Sequence, residues 1–144
     1  MYSLQSHKTY LKISAVFVML YGPIFFLGTF PATVEPVRFT TDLLMWPLDG
    51  GQSYEHPETI FIGALAGGFL FGWGVLIWQL SGDAYNAAPE AVRKAVATGF
   101  LGWFILDSAG SITSGNLSNA IFNLLFLGLF VGPLWRSAKP EIVQ

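Results

Sequence analysis

Four long runs of apolar residues, parted by polar segments, organise the chain. They extend roughly from Ile13 to Phe30, Thr59 to Leu80, Ala91 to Ser111 and Leu117 to Trp135. Each holds about the 20 residues that a helix rising about 1.5 Å per residue needs to cross about 30 Å of hydrocarbon. The runs are continuously apolar and do not alternate, so they predict helices and not barrel strands, and a helix satisfies its own backbone hydrogen bonds in lipid. The predicted fold is all-α, a single integral membrane domain over residues 1–144, built as an antiparallel four-helix bundle with one long outer loop, residues 31–58.

The basic residues orient the bundle. Lys8, Lys12, Arg93, Lys94, Arg136 and Lys139 flank the runs on one side and Arg38 alone lies on the other. This bias places both termini and the Ser81 to Glu90 loop in the cytoplasm. The outer loop then carries Glu35, Asp42, Asp49, Glu55 and Glu58. The first run is read as a retained span, because about 18 apolar residues exceed the usual 7 to 15 of a signal-peptide core and no small-x-small cleavage site follows. The location that results is multi-pass, in a bacterial cytoplasmic (inner) membrane.

Composition agrees and narrows the chemistry. The chain is 53% hydrophobic and 11% charged, with a net charge of −2. No basic block marks a nucleic-acid partner. The absence of cysteine removes disulfides, thiolate metal sites and thiol redox chemistry. His7 and His56 lie outside the apolar runs, so no span carries a histidine to hold a haem or a copper ion. One histidine among Glu55 and Glu58 in a loop is not a metal site, and no catalytic triad or phosphate loop is present. Neither metal nor cofactor is expected.

Local signals add detail. Gly22-Pro23 predicts a kink in the first span. Pro89 and Glu90 form a good helix start, and Asn116 after Gly115 is placed to cap the fourth span. Phe39, Leu43 and Trp46, at i, i+4 and i+7, predict a short helix on the outer interface that Pro47 ends. In the second span, Gly63 with Gly67 and Gly68 with Gly72 give two overlapping G-x-x-x-G pairs, which predict close packing against the other spans. Trp78 and Trp135 fall near the inner boundary as interfacial anchors, whereas Trp73 and Trp103 lie deeper.

Asp107 is the single charge deep in a run. About 14 residues beyond Arg93, it lies roughly 21 Å along the helix, leaving about 9 Å to the outer face. Asn123 reaches the same level when the fourth span is read inward from Leu117. Asp107 and Ser111 share one helix face, with Ser108 beside them, and Asn116, Asn119 and Asn123 share another. A carboxyl group facing lipid costs about 2.5–3.5 kcal/mol at mid-span, so it should turn toward these amides and hydroxyls. The cluster predicts either a set of interhelical hydrogen bonds that fixes the hairpin register or a ligand-orienting site formed by Asp107, Ser108, Ser111, Asn119 and Asn123, with Trp103 as a wall.

Three stretches carry a resemblance: residues 67–74 (GGFLFGWG), 103–111 (WFILDSAGS) and 119–123 (NAIFN). With these the chain resembles the small bacterial four-span inner-membrane proteins grouped as DoxX-like. The resemblance covers roughly half the chain. It implies an antiparallel membrane bundle and, in some relatives, association with an oxidoreductase or quinone-linked complex; it transfers no catalytic residue. The expected role is that of a non-enzymatic accessory protein or subunit, in contact with the lipid bilayer and with another membrane protein or itself. The alternative is binding or passage of a small apolar ligand, a quinone or a lipid, at the polar site.

Overall fold

The structure, a computed structural model, describes residues 2–138; Lys139, one of the orienting basic residues, lies outside the described residues. Six α-helices appear among these: α1 (Leu4–Leu27), α2 (Glu35–Leu44), α3 (Pro57–Gln79), α4 (Tyr85–Ala87), α5 (Pro89–Thr113) and α6 (Leu117–Val131). Local chemistry sets their ends. The Ser3 hydroxyl accepts the Ser6 N–H at 3.0 Å and caps α1. Pro57 and Pro89 occupy the first turns of α3 and α5, where a missing N–H costs nothing.

Helices α1, α3 and α5 are each long and apolar enough to cross a membrane. Their apolar side chains largely point away from the protein: Leu106 is 77% exposed and Phe69 72%. Surfaces of this kind are stable in lipid and not in water. Helix α6 is shorter, 15 residues, and continues through Gly132 into a 3-10 turn, Pro133–Trp135, so the fourth apolar run is not one uninterrupted helix. The missing Pro133 N–H accounts for the break. Helix α1 passes through Pro23 without interruption.

The helices pair as α1 with α3 and α5 with α6. Glycines bring the first pair together. A Cβ at Gly67 would fall 2.6 Å from Phe25 Cβ, and one at Gly22 would fall 2.7 Å from Phe71 Cβ. Gly63 likewise abuts Phe25 and Tyr54. The other G-x-x-x-G pair does not take part: nothing lies within 4 Å of a Cβ built on Gly68 or Gly72. One residue turns a helix by about 100°, so Gly68 cannot share the α1-facing side with Gly67.

The α5–α6 hairpin is set by its turn. Gly115 adopts φ +82°, the Asn116 N–H donates to Ser111 O at 2.7 Å, and the Gly115 N–H donates to Ile112 O at 3.1 Å. This is a Schellman closure of α5, and glycine is the residue that takes its left-handed position without strain. Asn116 precedes α6, but its side chain does not cap the helix; its Oδ1 accepts from the Ser118 hydroxyl at 2.9 Å.

The two pairs meet at the end of the molecule that carries α4. Phe100 stacks on Phe130 with centroids 4.6 Å apart and contacts Trp73 at 4.8 Å. Arg93 Nη1 donates to Leu134 O at 2.6 Å and its guanidinium pairs with Glu90, which holds that carboxyl down at about 2. Lys12 sits 5.4 Å from the Trp78 ring. His7, which precedes the apolar run opening at Ile13, is wholly buried, and its Nδ1 shares a 2.7 Å hydrogen bond with the buried Tyr85 hydroxyl.

The His7–Tyr85 bond ties the start of α1 to the segment after α3. Tyr85→Phe, which removes only the hydroxyl, should cost about 1 kcal/mol at pH 7.5, measured by thermal unfolding in detergent.

Candidate functional site

At the other end, where α2 lies, the pairs separate around a cavity of about 230 Å³. The Schellman turn places Asp107, on the last third of α5, level with the start of α6. Asn123 Nδ2 donates to Asp107 Oδ2 at 2.6 Å and Asn119 Nδ2 donates to the same oxygen at 3.0 Å. Asn123 also reaches the Ser108 hydroxyl at 3.1 Å, and Asn119 reaches the Ser111 hydroxyl at 2.8 Å. Ser111 in turn donates to the Asp107 carbonyl at 2.7 Å. The structure thus joins Asp107, Ser108, Ser111, Asn119 and Asn123 in one network.

Both amides converge on one carboxylate oxygen. Among the described residues no donor reaches Asp107 Oδ1 and no basic side chain pairs with the carboxylate; the ion pairs are Glu35 with Arg38 and Glu90 with Arg93 and Lys94. Asn123 is 1% exposed, while Asp107 is only half-buried and lines the cavity. The network holds the carboxyl group from behind and leaves its other side toward open space.

The remaining wall is aromatic. Helix α1 contributes Phe17, Tyr21 and Phe25, α3 contributes Trp73, α5 contributes Trp103, and α6 contributes Phe126 and Phe130. Trp103 therefore shares the cavity with the polar cluster. The α1 residues at positions 17, 21 and 25 recur every four residues and form one stripe of the helix. On α6 the cavity face runs 119, 123, 126, 130, so the two asparagines and the two phenylalanines form one continuous helical stripe.

Helix α2 closes this end. Leu44 lines the cavity, and its carbonyl accepts from the Ser118 hydroxyl at 2.7 Å, which ties α2 to the start of α6. Asp42, buried on the inner face, accepts the Gly50 N–H at 3.0 Å and orders the following turn. Helix α2 ends at Leu44, so Trp46 lies two residues beyond it and is not on the predicted stripe; Phe39 on the helix and Trp46 after it are each 59% exposed, while Val37 is buried toward the protein. Among the described residues no group of three or more histidines, aspartates and glutamates converges as a metal site.

Comparison with known proteins finds a relative. The chain is 30% identical, over 146 aligned positions, to an uncharacterised membrane protein, YabM, of Bacillus subtilis (strain 168). The alignment covers 97% of this chain and 26% of YabM, so the chain spans about a quarter of that relative's length. No family model matches the chain. No solved structure matches it. With its three long apolar helices and outward-facing apolar surface, the protein is an all-helical membrane protein.

Proposed function

We propose that the chain is a four-span bundle of the bacterial inner membrane that binds a small, mostly apolar molecule against Asp107. In this reading α1, α3, α5 and α6 are the spans, and the α4 end with both termini is cytoplasmic. Helix α2 lies on the outer interface. The fourth span is supported by the continuation of α6 to Trp135, which brings its length to about 30 Å. The orientation is supported by Lys8, Lys12, Arg93, Lys94 and Arg136 flanking the α4 end.

One observation carries the binding role: a carboxyl group held by two amides, that of Asn123 buried, on a residue that lines an aromatic-walled cavity. A purely structural hydrogen-bond network does not require an aromatic-lined concavity beside it. Concave, mostly apolar sites with few convergent polar groups are the usual form of small-molecule sites. The volume suits one ring or a lipid headgroup and not a whole lipid. In native mass spectrometry from a neutral maltoside detergent, the wild-type chain is expected to retain one small molecule. Ala66→Phe, which fills the cavity from α3, should release it. No adduct on the wild type, or the same adduct on both proteins, would contradict the reading.

The accessory-subunit reading is favoured by a separate feature, the unfilled face of Gly68 and Gly72 on α3. Small residues at this spacing admit a further helix, from a partner or a second copy. It is compatible with the oxidoreductase association that the DoxX-like resemblance implies. Purification in mild detergent should then yield a complex that Gly68→Leu disrupts; a monomer unaffected by that change would remove it.

A further inference from the structure

We infer that the ligand of the Asp107 cavity is an amphiphilic organic ammonium ion, its charged head held between the carboxylate and the aromatic walls; this deepens the binding reading above and rests on it. The donors and acceptors at the site argue for it. The amide N–H groups of Asn119 and Asn123 are spent on Asp107 Oδ2 and on the Ser111 and Ser108 hydroxyls, so what faces the cavity at Asp107 is an acceptor oxygen. At Asp107 itself a quinone carbonyl meets only an acceptor and would have to take its donors from Tyr21, Trp73 or Trp103. A cation or an N–H donor finds its complement there.

Charge points the same way. The carboxylate has no basic partner among the described residues, and in a medium of low dielectric an uncompensated negative charge attracts a cation far more strongly than in water. Aromatic faces supply the rest of the selectivity. Trp73, Trp103, Tyr21 and the phenylalanines of α1 and α6 line the space, and aromatic residues are the means by which proteins recognise quaternary ammonium groups. The cavity volume of about 230 Å³ admits such a head with one ring or a short apolar tail.

The test is equilibrium binding of radiolabelled benzyltrimethylammonium to the purified full chain in maltoside micelles, which carry no ammonium group. Saturable binding is expected. The neutral N-benzylacetamide, carrying the same ring, should bind at least tenfold more weakly. Asp107→Asn should weaken the cation at least tenfold, and Asp107→Glu should keep part of the affinity. Trp103→Leu, which leaves the hydrogen-bond network intact, should weaken it severalfold and serves if Asp107→Asn fails to fold by circular dichroism. Displacement by dihexanoylphosphatidylcholine would assign the site to lipid headgroups as well as to free ammonium ions; absence of displacement would assign it to free ions, and either supports the inference. Equal binding of the charged and neutral probes, unchanged in Asp107→Asn but abolished in Ala66→Phe, would overturn the cation preference and leave the cavity reading standing. No saturable binding of either probe would overturn both.

Discussion

Gly74→Ala is expected to lower the stability of the folded protein by about 1–3 kcal/mol, the cost of forcing extra volume into a packed contact. The added methyl would lie 2.7 Å from Ala15 O and 2.9 Å from Met19 N, both backbone atoms of α1, as well as 2.5 Å from Met19 Cγ. A side chain can turn away from such a clash, but a helix backbone moves only as a body, so the whole α1–α3 contact must open. Gly68→Ala and Gly72→Ala, on the same helix with empty space before them, should shift stability by less than about 0.5 kcal/mol, the usual range away from special features. Thermal unfolding of the three variants in one detergent checks this. Equal losses in all three would show that α3 is held by a face other than the one toward α1.

The second large effect is expected at Asn123. It is almost fully buried, and its amide makes the 2.6 Å bond to Asp107 and the 3.1 Å bond to Ser108. Interhelical hydrogen bonds in membranes average about 0.6 kcal/mol each. Asn123→Ala removes two and also leaves a carboxylate with one amide donor in place of two, so a total of about 1–3 kcal/mol is expected. Asp107→Ala removes the acceptor and should cost less than the stranding of a charge. In Asp107→Ala/Asn123→Ala the losses should fall short of their sum by about 1 kcal/mol, because the residues are in direct contact. Strict additivity would mean that the network contributes no coupling between α5 and α6.

Much of this arrangement is legible in the residues alone. Asp107 is a single carboxylate in an apolar run, and lipid leaves it one direction to face; helical spacing then selects Asn119 and Asn123 as its partners. The Gly115 turn supplies the register that brings them level. The presence of α2 is legible from the spacing of Phe39 and Leu43, but the helix ends at Leu44, short of the Trp46 and Pro47 where the spacing would end it.

Other features escape the sequence for identifiable reasons. In a helix that is apolar all round, hydrophobic periodicity cannot tell the protein-facing side from the lipid-facing side, so the two glycine pairs of α3 read as equivalent although only Gly63 and Gly67 pack within the chain. The aromatic stripe of α1 is hidden likewise, since Phe17, Tyr21 and Phe25 sit among other large apolar residues. From the sequence His7 is known only to lie outside the apolar runs. It is buried because Tyr85, 78 positions away, is carried to it by the turn after α3, a long-range contact with no local signature. Asn116 has the right residue type and position for a cap, but its side chain lies against the Ser118 hydroxyl and makes no capping bond to an α6 N–H.

The claim on which the functional account rests is that the aromatic-walled cavity beside Asp107 opens toward the outer side of the membrane. Because the chain has no cysteine, a single introduced thiol reports on this without background. Ala66 lines the cavity and Gly68, two residues on, does not. Thiosulfonate reagents attack the thiolate, which forms in water and not in lipid. In intact cells, Ala66→Cys should react with a membrane-impermeant trimethylammonium thiosulfonate and Gly68→Cys should stay unmodified. Unreactive thiols at both positions, or equal reaction at both, would contradict the account.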